Sequence, residues 1–331
     1  MNRVYCSLSD NIGRTDQNRM NSLSSSSFLH SFFIFWILLF QLGYIDAWLQ
    51  LSSIPNLRPV VAPVIYRSAA LDQLSSEDAQ QLASRSITLI DLRNTDEQGK
   101  ALSEGAEWFY KDYIPNNNTN TTIQLIHIPI LRDTNRFWDA AVDRLDASTR
   151  WSATLQTIWQ AGALDRAAAR YLEHQGHAGL YTLMLETAAV PMAQALNVCM
   201  KTNTTCSNTE RVVLFHCQKG KDRTGLVAAL LQHILGCERE QIIADYALTE
   251  ELLDEGSSSS SKKTSSSSLI DWSVFRGSPA SAMQETLEWV DQTYGSMDGY
   301  LESLTALDKV AMKEFQERHG VMNKKREKES V

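Results

Sequence analysis

Phe215-His216-Cys217-Gln218-Lys219-Gly220-Lys221-Asp222-Arg223-Thr224-Gly225 is the stretch on which the reading of this chain turns. Before it, Val212 to Phe215 is an apolar run with the composition of a buried strand. After it, Leu226 to Leu235 is apolar over a helical length and stops at Gly236. A cysteine therefore sits where a strand ends, a tight glycine-containing loop follows, and an arginine stands at a helix start. This is the architecture of an anion cradle, in which loop N–H groups converge with the positive end of a helix dipole. Five residues separate Cys217 from Arg223. A phosphate held there meets a sulfur nucleophile from below and a guanidinium fork from the side.

Each residue type has a chemical reason. A thiol is a poor nucleophile until ionised, and a helix N-terminus with cations nearby can bring a thiol pKa from about 8.5 to roughly 3.5–7.5. Arg223 can hold two phosphate oxygens at once, which a lysine cannot. Gly220 lets the loop turn its amides inward with no Cβ in the way. Thr224 is placed to hydrogen-bond the sulfur and ease its departure, and Gly225 closes the run. The implied reaction is nucleophilic catalysis through a thiophosphate that water then hydrolyses. A bare Cys-x5-Arg spacing recurs by chance, and a buried cysteine after a strand is usually a small apolar side chain. The full run with a strand before it and a helix after it is far more specific. It is not a Walker loop, because Asp222 follows Gly220-Lys221 where Ser or Thr is needed.

His-Cys-x-x-Gly-Lys-Asp-Arg-Thr-Gly resembles the signature of the atypical tyrosine phosphatases of bacteria, fungi and algae. Tyr66-Arg67-Ser68-Ala69-Ala70-Leu71, Ile87-Thr88-Leu89-Ile90-Asp91-Leu92-Arg93 with Glu97, and Asp245-Tyr246-Ala247-Leu248-Thr249 resemble further segments of that family in the same order. The likeness covers about residues 58 to 320 and is weakest over roughly 132 to 205. It implies a cysteine-dependent phosphatase of mixed α/β fold, a central mixed sheet flanked by helices. It also implies substrates among phosphotyrosine, phosphoserine or phosphothreonine proteins and phosphoinositides.

The leaving oxygen needs a proton, and two aspartates compete to supply it. Asp133 follows the strand-like Ile126 to Ile130, where a loop could swing over a pocket. Asp222 lies within the cradle beside Arg223 and is the favoured acid. His216 is read as orienting the loop and thiolate, and Lys221 as a cation at the rim that contacts phosphate. Lys219 is left unassigned. Asp91 and Arg93 are read as a structural pair. No cofactor or metal cluster is called for. Two other classes compete: a catalytically dead phospho-binding module, against which the intact Cys217, Asp222, Arg223 and Thr224 count, and a rhodanese-like sulfur transferase, which has no need of Arg223-Thr224-Gly225 ahead of a long apolar helix.

With 331 residues, 43% of them apolar, the chain can bury one sizeable core with added elements. Its net charge of −8 and lack of a basic stripe argue against a nucleic-acid partner. Residues 1–27 are polar and serine-rich and are expected to be disordered. The segment 28–45 is strongly apolar, short for a membrane span unless it reaches Ile45, and reads as a signal core or a signal anchor with possible membrane association. Arg3, Arg14 and Arg19 precede it, a bias that puts the catalytic part across the membrane, anchored or secreted; without use of that segment the protein is cytoplasmic. The sequons at Asn117, Asn120 and Asn203 fit the former, and Cys199 with Cys206 could pair in an oxidising compartment, while Cys6 and Cys237 lack an obvious partner.

Within the catalytic part, strands are expected at Val64–Ala69, Ile87–Arg93 and Gln124–Ile130. Helices are expected at Ser75–Ser84, capped by Ser75, and at Glu238–Leu253, Ala280–Leu301 and Leu304–Glu317. Trp151–His174 and Leu180–Met200 read as a helical pair inserted at about 150–200 near the pocket mouth. Residues 257–268 read as a flexible serine-rich insertion, and 321–331 as a basic tail.

Overall fold

The computed structural model describes residues 49–99, 101–112, 123–202, 211–254 and 269–320. The segment 28–45, the three sequons, the insertion 257–268 and the tail 321–331 lie outside the described residues. Among those described, no single helix is long and apolar enough to cross a membrane.

Five strands form one mixed sheet: β1 (Arg58–Val61), β2 (Ile65–Ser68), β3 (Ile87–Asp91), β4 (Ile123–His127) and β5 (Val212–His216), in the order β1-β2-β5-β3-β4. Only β1 runs antiparallel to its neighbour. The central strands β3 and β5 are buried along their whole length, as strands covered on both faces must be. Side-chain alternation divides them between two cores. Val213 and Phe215 join a large core on one face, while Val212 and Leu214 join a smaller one on the other.

The smaller core packs α1 (Ser76–Ala83) and α2 (Glu104–Asp112) on the sheet. Ser75 caps α1 by accepting from the Asp78 N–H at 3.1 Å. The larger core holds α3 (Thr134–Asp143), α5 (Ala163–Thr187), α6 (Ala189–Lys201), α7 (Asp222–Ile234), α8 (Arg239–Asp254), α9 (Ala280–Tyr294), α10 (Met297–Ser303) and α11 (Lys309–His319). Between α3 and α5, α4 (Ala147–Gln156) is the least covered, with Trp151 67% exposed and Ile158 and Trp159 beyond its end 75% and 73% exposed. Helix α7 is buried along nearly its whole length, Arg223, Thr224 and Gln232 included, and packs centrally.

Several boundaries differ from the sequence reading for local reasons. The expected inserted pair is three helices: α4 ends before Gly162, which has φ +72°, and α5 runs on to Thr187. The expected break between the pair survives as a kink at Gly176, with φ 61° and ψ −152°. Gly295, at φ +81°, ends α9 in a left-handed cap and divides the single helix expected over Ala280–Leu301. Strand β4 ends at His127, so Ile128 to Ile130 leave the sheet, although the Ile128 N–H still donates to Asp91 O at 2.9 Å. The Cys199–Cys206 pairing is overturned: Cys199 is a free buried thiol, and Cys237 is disulfide-bonded instead.

Candidate active site

The carboxyl ends of the parallel strands share one level, with His216 paired in register to Ser68 on one side and Asp91 on the other. The loop after β5 emerges there and leads into a helix on the large-core face, while the neighbouring β2 and β3 both lead to helices on the smaller-core face, the kind of switch at which open α/β sheets hold ligands. Cys217 is the first residue off β5 and is 2% exposed. The chain then turns through Gly220 and enters α7 at Asp222.

Gly220 is required twice over. Its φ is +65°, and a Cβ there would lie 2.3 Å from Ser68 O. The loop can press against β2 so closely only without a side chain. Its carbonyls are then pinned: Asn56 Nδ2 donates to Lys219 O at 3.1 Å and Gly220 O at 2.8 Å, and Arg67 Nη2 donates to Gly220 O at 2.8 Å. With its carbonyls held outward, the loop has its amides free to face inward. Arg67 and Arg58 both pair with Asp245, at 2.8 Å each, and Arg58 also donates to Thr249 and to the Asn56 side chain. Burial and the adjacent Arg58 bring the Arg67 guanidinium down to about 10, while Asp245 opposes the shift. Burial pushes the Asp245 carboxyl up, but the charges of Arg67 and Arg58 prevail and hold it below its ordinary value.

Arg223 forms a two-pronged pair with Glu97, Nη1 to Oε2 at 2.5 Å and Nη2 to Oε1 at 2.7 Å. Glu97 Oε2 also accepts from the Asn94 N–H at 2.8 Å, a backbone bond that fixes the carboxylate that aims the arginine. Burial opposes the charge on Arg223, yet Glu97 and the negative charge of Cys217 prevail and raise its pKa. The Cys217 charge acts in the same sense on Arg67. The nucleophile thus sits in the field of two guanidiniums.

Asp222 Oδ1 accepts from the Tyr181 hydroxyl at 2.6 Å and lies 3.3 Å from Lys221 Nζ. His216 is fully buried, its Nδ1 3.4 Å from Cys217 O and 3.9 Å from Asp91 Oδ1. Burial keeps its ring neutral more strongly than Asp91 favours protonation, which suits an orienting role. Asp91 and Arg93 do pair, at 2.9 Å, and Arg93 reaches Asp72 at 2.7 Å.

Four expectations need correction. Lys221 is not a rim cation: it is 3% exposed, and its Nζ donates to Phe275 O at 2.7 Å and Gly277 O at 2.8 Å, with His177 Nε2 at 3.1 Å. An ammonium buried beside α7 finds its partners in those carbonyls. Gly225 offers no ligand contact, because its N–H donates to Lys221 O within the first turn of α7. Its lack of a side chain leaves room for Tyr246, whose ring carbon would lie 3.2 Å from a Cβ. The Thr224 hydroxyl is buried without a partner, so the expected bond to the sulfur is not made. Asp133 caps α3 by accepting from the Arg136 N–H at 2.9 Å and lines a surface concavity with Pro129, Arg132, Val190 and Gln194, none of them cradle residues.

Sequence reasoning gave no role to Tyr181, His177 or Asn56, which carry no local signal. Arg67, Asp245 and Tyr246 stood within recognised motifs, but Arg67 meets Asp245 across more than half the chain and Tyr246 meets Tyr181 across 65 residues.

Comparison with known proteins agrees with this geometry. Residues 53–319 match the model of the tyrosine phosphatase family. The triple specificity protein phosphatase PtpB of Mycobacterium tuberculosis is 31% identical over 104 residues, 28% of this chain and 38% of that protein. A tyrosine-protein phosphatase of Nostoc commune is 45% identical over 42 residues, 13% of this chain and 14% of that protein. The chain thus matches well under half the length of these relatives.

Proposed function

The chain belongs to the tyrosine phosphatase family, and on that premise we propose that it hydrolyses phosphate monoesters through a cysteinyl-phosphate intermediate. One observation carries the reading: a buried Cys217 beneath a pinned loop, with Arg223 aimed at the mouth by Glu97. In the first step the Cys217 sulfur attacks phosphorus, an S–P bond forms, and the P–O bond to the leaving group breaks. Asp222 gives its proton to the departing oxygen. In the second step water attacks phosphorus and passes a proton back to Asp222. The S–P bond then breaks, releasing inorganic phosphate and the thiolate. Loop amides and Arg223 hold the three remaining phosphoryl oxygens throughout.

Phosphotyrosine ranks first among substrates, since an aryl arm carries its phosphate far enough from a backbone to reach a buried sulfur. The phosphoinositide alternative drew on a basic rim at Lys221, and the sequestered Nζ removes that support. Action across a membrane, anchored or secreted, is supported by the arginines ahead of segment 28–45 and by the disulfide at Cys237, since such bonds persist in oxidising compartments. An endoglycosidase mobility shift on protein from cells checks this, and an unshifted cytosolic protein refutes it.

The deciding assay is para-nitrophenyl phosphate turnover by wild type and Cys217→Ser. Turnover should vanish in the variant while vanadate still binds, because the amides and Arg223 remain. Comparable rates in both would exclude the thiolate mechanism.

A further inference from the structure

A chain of three hydroxyl and carboxyl groups runs inward from the cradle. Tyr181 Oη lies 2.6 Å from Asp222 Oδ1 and 2.6 Å from Tyr246 Oη. Tyr181 is fully buried on α5, in the segment beyond the Gly176 kink, and Tyr246 is 1% exposed on α8. The two rings meet edge to face at 5.8 Å, which fixes both. Asp222 is 27% exposed, so one end of the chain reaches the mouth.

The geometry points to Tyr181 as a positioning residue for the acid: by donating to Asp222 Oδ1 it directs the transferable proton to Oδ2. This rests on the general-acid reading of Asp222.

The direction of each bond follows from counting protons. A phenol carries one hydrogen. With that of Tyr181 given to Asp222, Tyr181 Oη can only accept from Tyr246. Burial raises the pKa of both phenols, with the Asp222 charge adding to the effect, so both stay protonated donors at neutral pH. Lys221 Nζ, at 3.3 Å from Oδ1, adds a positive charge beside that oxygen, while its three N–H groups go to Phe275 O, Gly277 O and His177 Nε2. A carboxylic acid whose Oδ1 accepts from a phenol and lies beside an ammonium carries its proton on the other oxygen. Among the described residues no hydrogen bond reaches Oδ2, which leaves that atom for the leaving group and later for water. The fixed ring pair also limits rotation of the carboxyl, and general acids transfer well only within hydrogen-bond reach.

A leaving-group series tests this. Dinitrophenolate leaves without help, whereas phenolate needs a proton. Asp222→Asn should lose about 100-fold on phenyl phosphate and far less on 2,4-dinitrophenyl phosphate, in keeping with the size of general-acid effects. Tyr181→Phe should lose about 10-fold in kcat on phenyl phosphate with KM nearly unchanged, and less than about 2-fold on the dinitrophenyl ester, as expected of a residue acting through that acid. Added to Asp222→Asn it should cost nothing more, since both act on one proton. Tyr246→Phe, which removes only the outer link, should show the same bias at smaller size and serves if Tyr181→Phe folds poorly. Equal losses by Tyr181→Phe on both esters, or additivity with Asp222→Asn, would overturn the assignment to Tyr181 while leaving Asp222 as the acid. Lack of leaving-group bias in Asp222→Asn would instead remove the acid reading, and the proposal with it.

Discussion

Two arginines serve one loop, and what surrounds each differs. Arg67 is almost fully enclosed, held by Gly220 O and by Asp245, a carboxylate 8% exposed that Arg58 shares. Arg223 is held by a single carboxylate, Glu97, which is 28% exposed. A guanidinium has five N–H groups. Glu97 takes two of those of Arg223, and among the described residues nothing takes the others, so its free edge can meet a phosphate. The first cluster is closed and builds the cradle; the second is open and serves its ligand. Burial of the partner carboxylate, more than charge, separates a structural ion pair from a working one.

The sharpest way to break this comparison is Arg223→Lys. Charge is kept and the fork is lost, so turnover of para-nitrophenyl phosphate should fall about 1000-fold, roughly 4 kcal/mol of transition-state stabilisation. The thermal midpoint should hardly move, because Glu97 stays solvated. A lysine enzyme that retains a tenth of the rate would show that fork geometry is unimportant here.

Arg67→Met should have the opposite profile. It leaves Asp245 with Arg58 alone and Gly220 O without its arginine, at a cost of about 3 kcal/mol in urea denaturation, in the range for breaking a buried pair. Unchanged stability with collapsed turnover would move Arg67 into the working class.

The smallest expected effect is on pH dependence. Burial raises the carboxyls of Asp245 and Glu97, but arginine charges and hydrogen bonds prevail and both end below their ordinary values. A depressed folded-state pKa contributes stability above the unfolded value, about 3.9 for Asp and 4.3 for Glu, and loses it as pH falls through the folded value. Urea midpoints should therefore be flat from neutral pH to about pH 5 and decline below about pH 4. Asp245→Asn should flatten that decline more than Glu97→Gln. An acid limb identical to wild type in Asp245→Asn would contradict the closed-cluster account.

The cradle was legible because its signal is local: strand, glycine turn and helix start lie within Val212 to Ile234, and the structure keeps all three. The residues that hold it were not. Asn56 and Arg67 meet the loop across sequence separations of 164 and 153, which no periodicity encodes. Lys221 was misread for a related reason. A lysine within a phosphate loop reads as a ligand until the carbonyls of Phe275 and Gly277, supplied by a distant turn, are seen to claim it. Tyr181 gave no signal because one tyrosine in an apolar helix reads as core, and only its 2.6 Å contact with Asp222 distinguishes it. Helix ends failed where glycine at positive φ, at Gly162 and Gly295, overrode an apolar pattern that ran straight through.

The clamp from Asn56 and Arg67 to Gly220 and on to Asp245 also sets when activity can arise during synthesis. A ribosome delivers the first two long before the loop, and the loop before Asp245, 178 residues after Arg67. A nascent chain carrying Cys217 but still lacking Asp245 holds a thiol on an unbraced turn, with Arg58 and Arg67 missing their shared carboxylate. Closing so long a loop is slow, because its entropy must be overcome before any contact repays it. On the proposed mechanism, hydrolysis is therefore expected only once the helix carrying Asp245 has cleared the exit tunnel, and a chain truncated ahead of it, though it carries the full signature, is expected to release no phosphate.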